Sequence, residues 1–207
     1  MMTTNKEKRA YMCEVSTRSD EKHGNVLEGV PIVYDAETDI GGMWREIIDR
    51  GALDEADLKD VRFLVNHDID SIPLARSRNN NENSTMQMTV EKDGLHIRVD
   101  LDTEGNPRAK ELYSAIKRQD ISGMSFMFSV KNDKWEDLDT EYPTRHITAL
   151  DKVFEVSAVT FPAYEQTSIN ARSVETGKAS LDSAREALEN ARKVEELRKQ
   201  IIERCKK

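Results

Sequence analysis

Apolar residues in this chain come in short runs broken by polar neighbours, a pattern that predicts strands over most of the body. Tyr11 to Tyr34 predicts strand, loop and strand, with Val26 to Tyr34 rich in β-branched residues. Ile40 to Gly51 holds Gly41-Gly42 and a short amphipathic piece, Trp44 to Ile48; Leu53 to Leu58 fits a helical turn. Val61 to Val65 predicts a short buried strand with His67 just beyond its end, and the asparagine-rich stretch Ser77 to Ser84 predicts a loop. Thr85 to Val90 and Leu95 to Leu101 flank the turn signal Asp93-Gly94 and predict a hairpin. Asn106 is placed to cap a helix that starts at Pro107, with Ala109, Leu112, Tyr113 and Ile116 on one face. Ile121 to Val130 and His146 to Thr160 predict strands, joined by a charged connection over Lys131 to Arg145.

The pattern changes after Pro162. Glu165 to Ser180 is small, polar and non-periodic, and residues 171–180 are expected to be a linker between a body of residues 1–170 and a tail of residues 181–207. From Leu181 to Cys205 there is no Gly or Pro, Ser180 can act as N-cap, and Leu181, Ala184, Leu188 and Ala191 form a stripe continued by Val194, Leu197 and Ile201. Glu189 with Lys193 and Glu195 with Lys199 add favourable i,i+4 pairs. The expectation is a mixed α+β, β-rich body followed by a solitary helix that docks on the body, another subunit or a partner.

Composition narrows this picture. Among 207 residues, 34% are charged and 37% hydrophobic, a lean supply of core formers that suits a chain lying partly outside its core. The net charge of −8 is uneven, because residues 173–207 hold nine Lys/Arg against seven Asp/Glu and the rest carries −10. An acidic body argues against nucleic-acid binding. No apolar run approaches a membrane span, and the polar start from Met1 to Arg9 does not read as a secretory signal. Cys13 and Cys205, near opposite ends and in no CxxC pair, point to a reducing compartment and away from a zinc module.

Three separate strand segments carry a hydroxyl, an imidazole and a carboxylate: Ser125, His67 and Glu155. A serine hydroxyl is a poor nucleophile unless a base takes its proton, and that base works best when a third group orients it. Histidine titrates near neutrality, so it suits the role of base. Each residue also has a bland alternative. A serine in an apolar strand is usually just a small hydrogen-bonded residue, His67 can be a turn histidine bonded to Asp68 or Asp70, and Glu155 can sit exposed at a sheet edge. Strand parity groups Ser125 with Gly123, Met127 and Ser129 and turns Phe126 and Phe128 the other way, which leaves Ser125 on a less bulky face with room for a substrate; Ser122 faces opposite and ranks lower. Glu155 shares parity with Val153 and Ser157, and a carboxylate in that apolar run needs a partner. His96 shares parity with Arg98 and Asp100 on a wet face, His23 lies in a polar loop, and His146 is the alternative third member. A metal site on His67, Asp68 and Asp70 is a competing reading, but hard cations take more oxygen ligands than these supply.

At these residues the chain resembles the prohead maturation proteases of tailed bacteriophages. The matching stretches are Glu28-Gly29 with Val33-Tyr34, Glu46-Ile47-Ile48 with Gly51-Ala52-Leu53, Asn66-His67-Asp68, Asp93-Gly94-Leu95, Met124-Ser125-Phe126 with Phe128, and Phe154-Glu155-Val156-Ser157 through Thr160-Phe161-Pro162-Ala163-Tyr164. They cover roughly residues 11–170. The resemblance implies a barrel-like body similar to the herpesvirus assemblins. It implies a serine endopeptidase that needs no cofactor and removes the scaffolding segment of the phage major capsid precursor inside the assembling prohead, in the host cytoplasm. Self-cleavage usually accompanies this, and the polar stretch Ala171 to Ser180 is where it is expected. His67 is then the base, Ser125 the nucleophile and Glu155 the third member; the assemblins use a second histidine, which keeps His146 open. Backbone N–H groups or an arginine such as Arg145 are candidates for oxyanion donors. The family often has Gly two residues after the serine, where this chain has Met127. A homo-oligomer is compatible with this reading. The alternatives from other classes are a non-enzymatic assembly or scaffolding protein, favoured by the long tail, and a metal-dependent hydrolase.

Overall fold

The computed structural model describes residues 6–11, 15–20, 24–160 and 171–205. Cys13, His23 and the end of the last motif, Phe161 to Tyr164, lie outside the described residues, as does the first part of the expected polar stretch, Glu165 to Asn170. In chain order come β1 (Glu7–Tyr11), β2 (Val15–Asp20), β3 (Gly24–Val33), β4 (Thr38–Asp39), β5 (Arg45–Ile48), β6 (Arg62–Val65) and β7 (Ala75–Arg76). There follow β8 (Met86–Val90), β9 (Gly94–Leu101), α1 (Pro107–Lys117), β10 (Gly123–Glu136), β11 (Thr144–Val159) and α2 (Ala171–Cys205).

Two sheets face each other across the core. The first runs β1-β10-β11-β5-β4, with β6 and β7 extending it beside the far half of β11; the second is β2-β3-β9-β8. Among the described residues neither sheet closes on itself, so the body is β-rich as expected but its sheets are not closed barrels. The reason lies along β11. Its early residues, Thr144 to Ile147, pair in parallel with β5, whereas its late residues, Glu155 to Ala158, pair in parallel with β6. Between them no strand pairs with this edge among the described residues; it is held by the bridge from Asp57 to Lys152 and by the Leu150 N–H donating to the Ala52 carbonyl at 2.8 Å, and the edge splits there.

Alternation decides which side of each strand enters the core. In β9, Leu95, Ile97, Val99 and Leu101 are buried, while His96, Arg98 and Asp100 lie on the wetter face predicted for them. In β10, Phe126 and Phe128 enter the core with ring centroids 4.9 Å apart. Helix α1 covers one end: the Asn106 side chain accepts from the Arg108 N–H at 3.0 Å, Pro107 occupies the first turn, and Ala109, Leu112 and Ile116 are buried. Gly94 has φ +151°, and a Cβ there would stand 1.9 Å from the Ile32 carbonyl oxygen, so the β8–β9 hairpin needs glycine at this position.

Two segments differ from expectation. Lys131 to Glu136 continues β10, and β11 already starts at Thr144, so the charged connection shrinks to residues 137–143. Lys134 and Glu136 occupy the outer face of a two-stranded ribbon whose other face carries Asp133 and Trp135, the latter packed edge-on against Trp44 at 5.7 Å. Residues 171–180, expected as a linker, form the first turns of α2. They gain tertiary support: the Trp135 indole N–H donates to Ser180 Oγ at 3.0 Å, Ser180 Oγ donates to Asp133 at 2.8 Å, and Leu181 is buried. A Cβ on Gly177 would come within 2.5 Å of the Trp44 ring, so this turn sits where only glycine allows the helix so close. Further on, Arg192 pairs with Asp139 at 2.5 Å, and beyond it Val194, Leu197, Ile201 and Ile202 are exposed. No helix among the described residues is long and apolar enough to cross a membrane.

Candidate active site

Strand β6 ends in a tight turn. The Asp68 N–H donates to the Val65 carbonyl at 3.1 Å, and the two central residues, Asn66 and His67, have φ of +51° and +58°. Positive φ at both centres is the type I′ arrangement, and Asn and His are among the side chains that tolerate it. The turn is tied to the end of β11. The Asn66 N–H donates to the Ala158 carbonyl at 2.9 Å, and the Asn66 side chain accepts from the Thr160 N–H at 2.9 Å and reaches Thr160 Oγ1 at 3.1 Å. His67 is thus held over the face of β11, with its own N–H donating to Ser157 Oγ at 3.1 Å.

On that face Glu155 engages both neighbours. Its Oε1 meets Nδ1 of His67, and its Oε2 accepts from Ser157 Oγ at 2.5 Å. Glu155 is 2% exposed and the His67 side chain 16%, so the carboxylate is nearly sealed while the imidazole edge reaches the surface. A carboxylate only accepts, which places a proton on Nδ1 and leaves Nε2 as the basic nitrogen. Ser157 links the carboxylate to the turn. Its hydroxyl spends its single proton on Glu155 and its lone pair on the His67 backbone, locking carboxylate and turn together. Its place two residues after Glu155 on a strand, hence on the same face, is the signal that was available.

Cross-strand register brings in Ser125. It lies opposite Ser157, and Met127 lies opposite Glu155, so all four side chains share one face of the sheet. Ser125 is fully buried, and its Oγ donates to the Arg9 carbonyl at 2.6 Å. A hydroxyl has one proton, so in this state Ser125 gives it to β1 and not to His67. The open face expected around Ser125 is instead covered, because β1 pairs along β10 with Ala10 opposite Ser125 and Lys8 opposite Met127. Beside Glu155 a cleft of about 590 Å³ is lined by Lys6, Lys8, Arg62, Leu64 and Met127 among others.

The other candidates lie elsewhere. His146 pairs with Lys134 near the opposite end of the same hairpin, eleven residues along β11 from Ser157, on the order of 35 Å at strand rise. Its Nδ1 is 2.8 Å from Asp49. Arg145 cannot serve as oxyanion donor from where it stands: it is 2% exposed on the other face, with its nitrogens 2.9 Å from Glu7, 3.1 Å from Glu46 and 2.7 Å from Asp133. Arg9 joins this cluster, reaching Glu7 at 2.5 Å and Glu46 at 2.8 Å. Burial alone would raise the Glu46 pKa, but the charges and hydrogen bonds of Arg9 and Arg145 overcome it and hold the carboxyl below its ordinary value. Burial would likewise lower the Arg145 pKa, and the charges of Glu46 and Glu7 reverse that and raise it. Asp68 is held by Ser71, which lowers its pKa, and stands 3.7 Å from Arg108. His96 is bonded to Asp93 at 2.8 Å, and with Glu91 they form the one three-donor group of metal-ligand type among the described residues, at the β8–β9 turn.

A carboxylate-oriented imidazole with a serine one strand away suits acyl transfer through a serine nucleophile. The chain belongs to the caudovirus prohead serine protease family, whose model matches residues 13–180. No curated protein matches the chain. Among solved structures it is similar to the bacteriophage T4 capsid assembly protease gp21, at 14% identity over 74% of this chain and 98% of that one, with a TM-score of 0.39; a likeness at that level bears on neither fold nor chemistry.

Proposed function

We propose that the chain is the serine endopeptidase that cuts the scaffolding segment from the phage major capsid precursor, and cuts itself, inside the assembling prohead. Ser125 is the nucleophile, His67 the general base and Glu155 the group that orients it. The observation that carries this reading is the double engagement of Glu155 by the His67 ring and by Ser157, which leaves Nε2 as the free base on the face that holds Ser125. When the Ser125 hydroxyl turns from Arg9 to His67, Nε2 takes its proton as Oγ attacks the scissile carbonyl. The imidazolium, stabilised by Glu155, then protonates the leaving amine. Water attacks the acyl-enzyme with His67 again as base, and the cycle closes with the proton back on Ser125.

The test is intact mass spectrometry of wild type and Ser125→Ala, each with the capsid precursor, free and in proheads. Ser125→Ala is expected to lower turnover by roughly 10⁴–10⁶-fold, about 5–8 kcal/mol of transition-state stabilisation. A variant that keeps more than about a tenth of wild-type cleavage sinks the assignment.

The exposed stripe of Val194, Leu197, Ile201 and Ile202 supports a second role for α2, recruitment to scaffold or capsid. Ser180, Leu181 and Arg185 dock on the body, so the cut that isolates this role falls after Lys193. That truncation is expected to leave thermal stability unchanged while protease incorporation into proheads drops at least about tenfold. Undiminished incorporation removes the role.

A further inference from the structure

Resting on the serine protease reading above, we infer that the edge of β10 beside Ser125 is the docking surface for the chain to be cut, and that β1 occupies it in place of substrate until displaced. Extended peptides commonly bind by adding a strand to a sheet edge. Here such a strand is already in place. β1 pairs antiparallel with β10 over Met124 to Phe128, a span that includes the nucleophile, and among the described residues it is the last strand on that side of the sheet. Its backbone takes the Ser125 proton through the Arg9 carbonyl, and it helps bury Ser125 completely. It also supplies Lys8 to the cleft beside Glu155, with Lys6 just before it, so its departure widens that cleft along the catalytic face. Thus a single movement frees the hydroxyl for His67, exposes it and bares the edge on which an extended segment can pair.

The charges on the opposite face suit reversible departure. Glu7 and Arg9 leave as a pair of opposite sign, bonded to each other at 2.5 Å. Glu46 and Arg145, 3.1 Å apart, stay behind still paired with each other. No lone buried charge is created, which is the event that would make the strand impossible to release. Arg9 also packs its guanidinium 5.6 Å from the Phe128 ring centroid, so a replacing strand meets an apolar as well as a polar seat.

The decisive experiment pins the strand. Lys8 and Met127 face each other across β1 and β10, within the separation a disulfide spans. The full-length double variant Lys8→Cys/Met127→Cys is made with Cys13→Ser and Cys205→Ser. It is labelled with a fluorophosphonate in its oxidised and reduced forms, and the rate of Ser125 modification is read by mass spectrometry. Reduction is expected to raise that rate at least about tenfold, with the gain abolished by His67→Ala. A second variant, Glu7→Gln/Arg9→Met, loosens the strand without a cross-link and is expected to label faster than wild type. Equal, His67-dependent labelling of oxidised and reduced protein overturns the strand proposal and leaves the protease reading standing. Absence of Ser125 labelling in the reduced form, in the loosened variant and in wild type overturns the protease reading itself.

Discussion

Two buried polar clusters lie on opposite faces of one sheet, and they are built on different rules. On one face Glu155 engages the Ser157 hydroxyl and the His67 ring, whose edge is partly exposed. On the other, Glu7, Arg9, Glu46 and Arg145 are nearly solvent-free, with every carboxylate engaged by a guanidinium. Arginine does not give up its proton under any ordinary condition, so the second cluster can hold a strand but cannot do proton chemistry. The first holds less and can do more. Burial of charge is therefore a poor guide to catalysis by itself; what separates the clusters is an ionisable partner with one nitrogen left to work. Strand β1 connects them, because its side chains enter the ionic cluster while its backbone accepts from Ser125.

The sharpest way to break this contrast after Ser125→Ala is to remove the charge from Glu155. Glu155→Gln keeps the shape but lets an amide N–H face the imidazole, which favours the wrong tautomer. Turnover is expected to fall by about 10²–10⁴-fold, less than for the nucleophile. His146→Ala, at the far end of the hairpin, should stay within about twofold. Peptide-cleavage rates of the two variants decide the matter: if His146→Ala proves the more damaging, the catalytic grouping is wrong.

Much of the candidate site was legible because it is local. His67 follows a recognisable short strand, Glu155 and Ser157 share strand parity, and Asn106 with Pro107 marks the start of α1. The parts that were not legible depend on contacts far apart in sequence. Nothing in Glu7 to Tyr11 announces that it covers Ser125, 116 residues away from Arg9. The second half of β10 was hidden because charged residues on both faces of the ribbon, Lys134 and Glu136 on one and Asp133 on the other, dilute the alternation. The start of α2 was hidden by Gly177, which costs a helix about 1 kcal/mol relative to alanine and is offset here by packing on Trp44 and Leu181. Open sheets rather than a barrel follow from the split edge of β11, which local pattern does not encode.

The ionic cluster should answer in stability where the Glu155 cluster is expected to answer in rate. Arg145→Met leaves Glu7 and Glu46 buried with only Arg9 between them. Breaking a buried pair in this way costs about 3–5 kcal/mol. Urea unfolding should show the midpoint falling with an unchanged slope. A loss below about 1 kcal/mol would show that water reaches these carboxylates and that the cluster is not a sealed anchor.

The smallest effect, and the one that ties the two clusters together, is in acid. Glu46 has a folded pKa below its unfolded value of 4.5, held there by Arg9 and Arg145 against the opposing effect of burial. A depressed carboxylate contributes stability that is fully present above the unfolded pKa and is lost as pH falls through the folded one. The hold on β1 should therefore be constant from about pH 6 to 8 and weaken progressively below about pH 4.5. Amide hydrogen exchange of Lys8 to Ala10, corrected for intrinsic rates, reads this directly and separates it from acid effects on exposed pairs such as Asp60 with Arg76. Glu46→Gln removes the titrating group, so the acid step in β1 protection should vanish in that variant even though the strand is held less firmly at neutral pH. Protection that stays level to pH 3 in wild type, or that falls between pH 6 and 7, would place the hold on β1 somewhere other than this carboxylate and would detach the strand's release from the ionic cluster altogether.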